Sequence, residues 1–241
     1  MKQTFGKSCV NVALFAMLLI PLSGGAASAR TIVSSLQHDF SDTQNPHGAW
    51  SYNYGDTPIP MFQTFFWGQG GWSIYDFAEA SILKGRPPQA GSIDPFGDPI
   101  PPVNDWRRHD VMVAAMSIPY GGDSTFVNVR WTSPGDGTIN INGHAWDGMI
   151  SSYPGRDVGW ALLVGGQIIA QRHSVLGLHR RDDGARFDDN LIGNASLKKI
   201  PVTEGEVVEF RVIANSYYGQ FVGVQETIVF KPKRGGNVTQ H

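Results

Sequence analysis

The stretch FVNVRWTSPGDGTINING, residues 126–143, decides the class of fold. Apolar Val127, Val129 and Trp131 alternate with polar residues, and after a break Ile139 and Ile141 alternate with asparagines. Alternation with a period of two is typical of a strand with one buried face and one solvent-facing face. The break, SPGDG, consists of turn-forming residues. The stretch therefore predicts a β-hairpin in an antiparallel sheet.

Strand patterns continue through the C-terminal half. An apolar strand over residues 158–164 is followed by Gly165 and Gly166, which predict a tight two-residue hairpin turn. Alternation returns over residues 207–214 and over residues 222–230. Turn signals recur about every 8–12 residues, as in two-layer β proteins. The predicted fold is all-β: an antiparallel β-sandwich, jelly-roll-like, with long loops in its N-terminal half.

The N-terminal half is less regular. Short strands are predicted over residues 31–40, 61–67 and 111–118, and a proline-rich connection fills residues 85–105. Loops of this length in a compact domain are usually functional or disordered. We expect this one to pack its apolar side chains over a sheet face, and a binding role is the alternative.

The first residues have the composition of an export signal. Lys2 and Lys7 precede an apolar run over residues 10–22, and Ala27-Ser28-Ala29 supplies a small-residue cleavage site. The run is shorter than the roughly 18 apolar residues of a membrane-spanning helix. We expect a signal peptide over residues 1–29, removal of that segment, and a secreted protein that is periplasmic or extracellular and not membrane-bound after cleavage.

After the signal, we expect one β-sandwich domain over residues 30–230 and a polar tail over residues 231–241. The single cysteine, Cys9, lies inside the predicted signal, so thiol catalysis and thiolate zinc sites are excluded from the rest. The formal net charge is −2 for the whole chain and becomes −4 without Lys2 and Lys7. This mild acidity gives no reason to expect nucleic acid or an anionic membrane as a partner.

A series of short motifs resembles a known group of domains. The motifs are Phe40-Ser41, Asn45-Pro46, Gly48, Trp50-Ser51-Tyr52, then VRWTSP at residues 129–134 with Gly137, and Glu204-Gly205-Glu206. Their order is similar to that in secreted bacterial β-sandwich domains of PEP-CTERM-type exoproteins. The resemblance covers residues 38–230. It implies an architecture similar to galactose-binding-like and other carbohydrate-binding sandwiches, and it implies no catalytic residues. The apolar C-terminal segment of the sorted members is missing, so we expect simple secretion.

Aromatic residues are the first candidates for ligand binding. Sugar rings stack on aromatic faces, and aromatic residues crowd residues 50–75. Trp72 follows two glycines and is expected to be exposed; Trp146, expected in a loop over residues 144–148, is the second candidate. Trp131 and Trp160 lie on predicted inward faces and are expected in the core. The alternative for any single aromatic residue is that it fills the core.

Glu226 is a candidate because it shares the inward parity of Val224 and Ile228. An inward carboxylate has to be paired, hydrogen-bonded or placed near a sheet edge. One interpretation is edge placement with a backbone partner. The other makes Glu226 a ligand-binding acid together with Tyr217 or Tyr218.

Four aspartates form a candidate metal site: Asp182, Asp183, Asp188 and Asp189. Carboxylate oxygens are the ligands that calcium prefers, so a structural calcium ion is one interpretation of this loop. Three neighbouring arginines weaken its negative field, and a solvated charged loop is the alternative.

The motifs of common catalytic sites are absent from the sequence. Two-histidine metal spacing on one strand face, Gly-x-Ser-x-Gly and the motifs of jelly-roll lyases do not occur. The sequence therefore predicts a secreted, non-catalytic module that binds extracellular carbohydrate. Two alternatives stay open: a structural matrix or surface protein without a small ligand, and a polysaccharide-active lyase or hydrolase.

Overall fold

A computed structural model describes residues 30–64, 70–73, 81–84, 109–115, 126–148, 157–175, 178, 184–215 and 220–233. Within these ranges almost all regular structure is β-strand, and every strand pair is antiparallel. Two sheets pack face to face. The predicted all-β antiparallel sandwich is confirmed.

The strands are numbered in chain order. They are β1 (Ile32–Ser35), β2 (Trp50–Tyr54), β3 (Thr57–Pro58), β4 (Phe62–Thr64), β5 (Gly70–Ser73), β6 (Ser81–Lys84), β7 (Val111–Ala115), β8 (Val127–Thr132), β9 (Gly137–Asp147), β10 (Val158–Val164), β11 (Gln167–Arg172), β12 (Ala185–Arg186), β13 (Ile200–Val202), β14 (Val207–Ala214) and β15 (Gln220–Pro232). One turn of α-helix, α1 (Leu36–Asp39), follows β1, and a 3-10 turn (Asp188–Asn190) follows β12.

The larger sheet has nine strands and is organised around β15. Its order is β12-β9-β15-β7-β6-β5-β4, with β13 also beside β9 and β1 also beside β15. On one side β15 pairs with β9 from Val222 to Pro232. On its other side β7 occupies one half and β1 the other. The smaller sheet has six strands in the order β11-β10-β14-β8-β2-β3.

The prediction of a hairpin over residues 126–143 is wrong, although both predicted strands are present. Strand β8 lies between β14 and β2 in the smaller sheet, whereas β9 belongs to the larger one. The turn between them therefore crosses from one sheet to the other. It is fixed to a neighbouring turn, because the Ser133 N–H donates to Glu206 O and the Gly205 N–H donates to Ser133 O. Alternation identified the buried face of each strand, but it does not identify the pairing partner.

Other strand predictions are confirmed or corrected locally. Gly165 and Gly166 have φ of 56° and 80° and close the β10–β11 hairpin, as predicted. The strand predicted over residues 31–40 is shorter, because the chain turns into α1 after Ser35, whose N–H donates to Asp39 Oδ2 (2.8 Å). Strand β15 continues to Pro232, two residues past the predicted domain end at residue 230.

Several predictions fall on other parts of the chain. The signal peptide, the proline-rich connection, the last eight residues and parts of two predicted strands lie outside the described residues. The described residues include no helix that is long and apolar enough to cross a membrane.

The core lies between the two sheets and is rich in aromatic rings. Trp131 and Trp160 are fully buried there, which confirms the prediction for both. The Trp160 ring lies 5.2 Å from the ring of Phe187, and the Phe187 ring lies 5.7 Å from that of Phe210. These contacts link the smaller sheet to the segment after β12.

Candidate functional site

Trp72 does not form an exposed platform. It lies in β5 with only 4% of its surface exposed. Its indole N–H donates to Ser41 O (2.8 Å), and its ring contacts those of Tyr52 and Phe62 at 6.0 and 5.5 Å. The prediction that Trp72 is exposed is wrong, because the preceding glycines belong to a paired strand and do not open a loop.

Trp146 is also buried, and it lies in β9 where a loop was predicted. Its indole covers Gly223 of β15 so closely that a Cβ atom added to Gly223 would clash with the Trp146 ring. Gly223 thus provides the space that the indole occupies. The predicted role of Trp146 as an exposed sugar-stacking residue is wrong.

Glu226 faces the interior, as its parity predicted, but it is not near a sheet edge. It lies in the central strand β15, directly opposite Gly143 of β9, and only 1% of its surface is exposed. Neither carboxylate oxygen has a hydrogen-bond partner among the described residues. Burial raises the pKa of Glu226 to about 8, so the carboxyl group is mainly protonated at neutral pH.

A buried polar side chain of α1, Gln37, contacts the backbone of β15. Gln37 donates from Nε2 to Val224 O (2.6 Å), two residues along β15 from Glu226, and Gln37 Oε1 is buried without a partner in the described part of the chain. Tyr217 and Tyr218, the residues expected to act with Glu226, lie outside the described residues. Their joint role with Glu226 stays a prediction.

The candidate calcium ligands are only partly described. Asp188 accepts two hydrogen bonds from Arg186, at 2.9 Å from Nε and 3.1 Å from Nη2, and the hydrogen bond with Arg186 lowers the pKa of Asp188. Asp189 is exposed on the same 3-10 turn, whereas Asp182 and Asp183 lie outside the described residues. Where side chains are described, no three His, Cys, Asp or Glu residues form a group suited to a metal ion. The calcium site stays a prediction.

The motif residues behind the family resemblance hold the fold together. Asn45 donates from Nδ2 to Tyr52 O (2.7 Å) and Ile59 O (2.9 Å), and its Oδ1 accepts the Tyr52 N–H (2.8 Å). The Tyr52 hydroxyl oxygen accepts the Ser41 N–H (3.0 Å), and burial raises the pKa of Tyr52. These hydrogen bonds hold the chain before β2 onto the sandwich, so the motif residues have a structural role.

A charged surface that the sequence did not single out lies on the outer face of the six-stranded sheet. We call it the arginine patch and define it as Ser51, Asp56, Phe126, Arg130, Glu209 and Arg211. Strand register creates it: Arg130 of β8 lies opposite Ser51 of β2 on one side and Glu209 of β14 on the other. All three point away from the core because their neighbours Trp131 and Phe210 point inward.

The four charged side chains of the arginine patch form a continuous chain. Arg211 Nε lies 2.7 Å from Glu209 Oε1, Arg130 Nη2 lies 3.2 Å from Glu209 Oε2, and the same Nη2 lies 2.5 Å from Asp56 Oδ1. The two carboxylates differ most in exposure: the side chain of Glu209, between the two arginines, is 8% exposed, whereas that of Asp56, at the end of the chain, is 90% exposed. The hydrogen bond from Arg130 lowers the pKa of Asp56.

An aromatic ring completes the arginine patch. The Arg211 guanidinium lies over the ring of Phe126, 3.5 Å from its centroid, in a cation–π contact. Phe126 is partly exposed. A partly exposed ring in contact with a guanidinium group offers both an apolar surface and hydrogen-bond donors.

Two buried asparagines fix the turn that carries Asp56. Asn128 donates from Nδ2 to Gly55 O (2.7 Å), and Asn53 donates from Nδ2 to Asn128 Oδ1 (3.2 Å). The Gly55 N–H donates to Phe126 O (2.8 Å). Because both backbone groups of Gly55 are bonded, the backbone next to Asp56 is held in place beside Arg130.

Sequence reasoning missed the patch because its members are far apart in the chain. Arg130 and Asp56 are 74 positions apart, and no local motif links them. The available signal was the outward parity of Arg130, Glu209 and Arg211 on strands with apolar inner faces. That signal gives a face for each strand, but only the strand order β14-β8-β2 brings the residues together.

Comparisons with known proteins do not identify a family. No family model and no curated protein matches the chain. Among solved structures, the chain is similar to the K3 cleaved adhesin domain of Lys-gingipain from Porphyromonas gingivalis W83. The two are 11% identical, the match covers 85% of this chain and 99% of the adhesin domain, and the TM-score is 0.32. A likeness at that level carries no functional information, and the resemblance to PEP-CTERM-type exoprotein domains stays a prediction.

Proposed function

We propose that this protein is a secreted, non-catalytic β-sandwich module that binds extracellular carbohydrate through the arginine patch. The observation that carries the proposal is the contact between Phe126 and Arg211 beside Arg130, on a sheet face whose backbone is fixed by buried asparagines. Sugars present C–H faces to aromatic rings and hydroxyl groups to polar side chains. The arginine patch supplies both kinds of contact.

The surroundings of Glu226, Glu209 and Asp56 favour binding over catalysis. An acid catalyst must reach its substrate within hydrogen-bond distance. Glu226 has a strongly raised pKa, but it is enclosed by the sandwich, and burial is the cause of the shift without a contribution from a second titratable group. In the arginine patch, Glu209 and Asp56 are both neutralised by arginine.

Retention on immobilised polysaccharides tests the proposal. The purified chain should be retained by at least one member of a panel of neutral and acidic glycans. Phe126→Ala and Arg211→Ala should each weaken retention, because each removes half of the cation–π pair. Val33→Ala is the matched control, since Val33 is an exposed apolar residue of β1 in the other sheet.

Each result distinguishes among the alternatives. Loss of retention in the patch variants, with the Val33→Ala protein unchanged, supports binding at this face. Failure of every glycan to retain the chain would leave the structural matrix protein as the better interpretation. Release of reducing ends or of unsaturated products would contradict the non-catalytic part of the proposal.

A further inference from the structure

We propose that the arginine patch recognises the carboxylate of an acidic sugar, which takes the place of Asp56 on Arg130. This inference rests on the proposed function and narrows the ligand to polysaccharides that contain uronate residues. Asp56 then acts as an internal competitor that occupies the anion position until such a ligand arrives.

The two carboxylates of the arginine patch are held differently. Glu209 is nearly buried and contacts both arginines, so removing it would leave buried positive charge uncompensated. Asp56 is 90% exposed, and among the described residues it forms an ion pair only with Arg130. Exposed ion pairs contribute little to stability, so Asp56 is the carboxylate that a ligand can replace.

The charge balance of the arginine patch requires a second carboxylate. Without Asp56, the guanidinium groups of Arg130 and Arg211 face one carboxylate, that of Glu209, which leaves one net positive charge. Asp56 is held by Arg130 Nη2, the guanidinium nitrogen that an incoming group replacing Asp56 would meet. Guanidinium groups pair well with carboxylates, so an incoming carboxylate accepts from this nitrogen in place of Asp56 and restores neutrality.

Replacement of Asp56 by a ligand requires no movement of the backbone. The carbonyl and N–H of Gly55 are bonded to Asn128 and Phe126, so the turn keeps its place when the ligand binds. Only the exposed side chain of Asp56 has to rotate into solvent. The ring of Phe126, on the same face, is available to the C–H surface of the sugar whose carboxylate lies on Arg130.

The decisive measurement compares affinities for polygalacturonate and for its methyl ester, which keeps the sugar and lacks the charge. Asp56→Asn should bind polygalacturonate about twofold to fivefold more tightly than the original chain at about 0.15 M salt, because the competitor is gone. It should show no such gain toward the methyl ester. Arg130→Gln should weaken binding of polygalacturonate by at least about tenfold.

Glu204→Gln is the control for net charge. It removes one exposed carboxylate, as Asp56→Asn does, but from the turn before β14 and outside the arginine patch. Its affinity for polygalacturonate should equal that of the original chain. Because Asp56 and Glu204 are both exposed, this pair of variants decides the matter even if Arg130→Gln does not fold.

Four results would overturn the inference. Unchanged or weaker binding by Asp56→Asn contradicts the displacement, and an equal gain in Glu204→Gln shows a general charge effect. If neutral glycans alone retain the chain, the ligand is not a uronate and this inference fails, whereas the proposed function still stands. Absence of binding to every glycan, in the original chain and in Asp56→Asn, removes both.

Discussion

Glu226 combines full burial with an ionisable group in the middle of β15. Its pKa is about 8 in the folded chain, against an ordinary value of 4.5. Between these two values the folded chain keeps a proton that the unfolded chain releases. The free energy of unfolding therefore decreases as the pH rises from about 4.5 to about 8, and the burial penalty is absent below that window.

Replacing Glu226 with glutamine should remove this dependence. The amide keeps the shape of the protonated carboxyl group and cannot ionise. We expect Glu226→Gln to be more stable than the original chain by about 3 kcal/mol at pH 7 and to differ little near pH 4, since one pKa unit corresponds to about 1.4 kcal/mol. Urea unfolding at pH 4, 6, 7 and 8 measures the difference.

The control for that experiment is Glu204→Gln. Glu204 is an exposed residue of the turn before β14, so its replacement should leave the pH profile as it is. Parallel profiles for the original chain and Glu226→Gln would show that the carboxyl group is ionised in the folded state. That result would contradict a raised pKa at this position.

Among the elements, the segment before β2 depends on one side chain. Asn45 makes three hydrogen bonds to the backbone of Tyr52 and Ile59, and no other residue type of this size both donates twice and accepts. We expect Asn45→Ala to lower the free energy of unfolding by about 2–3 kcal/mol, because partly buried backbone groups lose their partners. Denaturant midpoints measure the loss.

The neighbouring Gln44 supplies the comparison. Its side chain makes an exposed hydrogen bond with His47, so Gln44→Ala should change the stability by no more than about 0.5 kcal/mol. Equal midpoints for Asn45→Ala and Gln44→Ala would mean that the three hydrogen bonds contribute little.

At the scale of the elements, the sequence pattern located strands but did not identify how they pair. Period-two patterns located β8, β9, β14 and β15, because side chains of a strand alternate between its two faces whatever its neighbours are. Pairing depends on contacts between distant residues, so β8 and β9 were assigned to one hairpin although they lie in different sheets.

The predictions of which tryptophans are exposed failed for the same reason. In the sequence, Trp72 and Trp146 lie next to glycines or polar residues. In the fold, Tyr52 packs against the Trp72 ring and Gly223 packs against the Trp146 ring. The arginine patch was out of reach for the same physical reason, since Asp56, Arg130 and Glu209 meet only through the strand order.

For the whole molecule, the predicted calcium ion can be tested by its effect on stability. Binding to the folded state alone would raise the free energy of unfolding by about 2.7 kcal/mol at a hundredfold excess over the dissociation constant. We expect the melting temperature to be the same in excess chelator and in millimolar calcium, because Arg186 already neutralises Asp188. A calcium-dependent rise that is lost in Asp182→Asn or Asp183→Asn would contradict this and support the ion.

The central position of β15 also fixes when the molecule can fold. Of the described strands it is the last to be synthesised, yet it separates β9 from β7 and β1, and Phe230 pairs with Ile32 near the other end of the described chain. Until the ribosome has passed residue 232, the strands of the nine-stranded sheet remain in three separate parts: β9 with β12 and β13, the run from β4 to β7, and β1 alone. Contacts between residues so distant in sequence form slowly, because a long loop must close first. The larger sheet therefore closes only after synthesis of its last strand, whereas every strand of the six-stranded sheet is made before it.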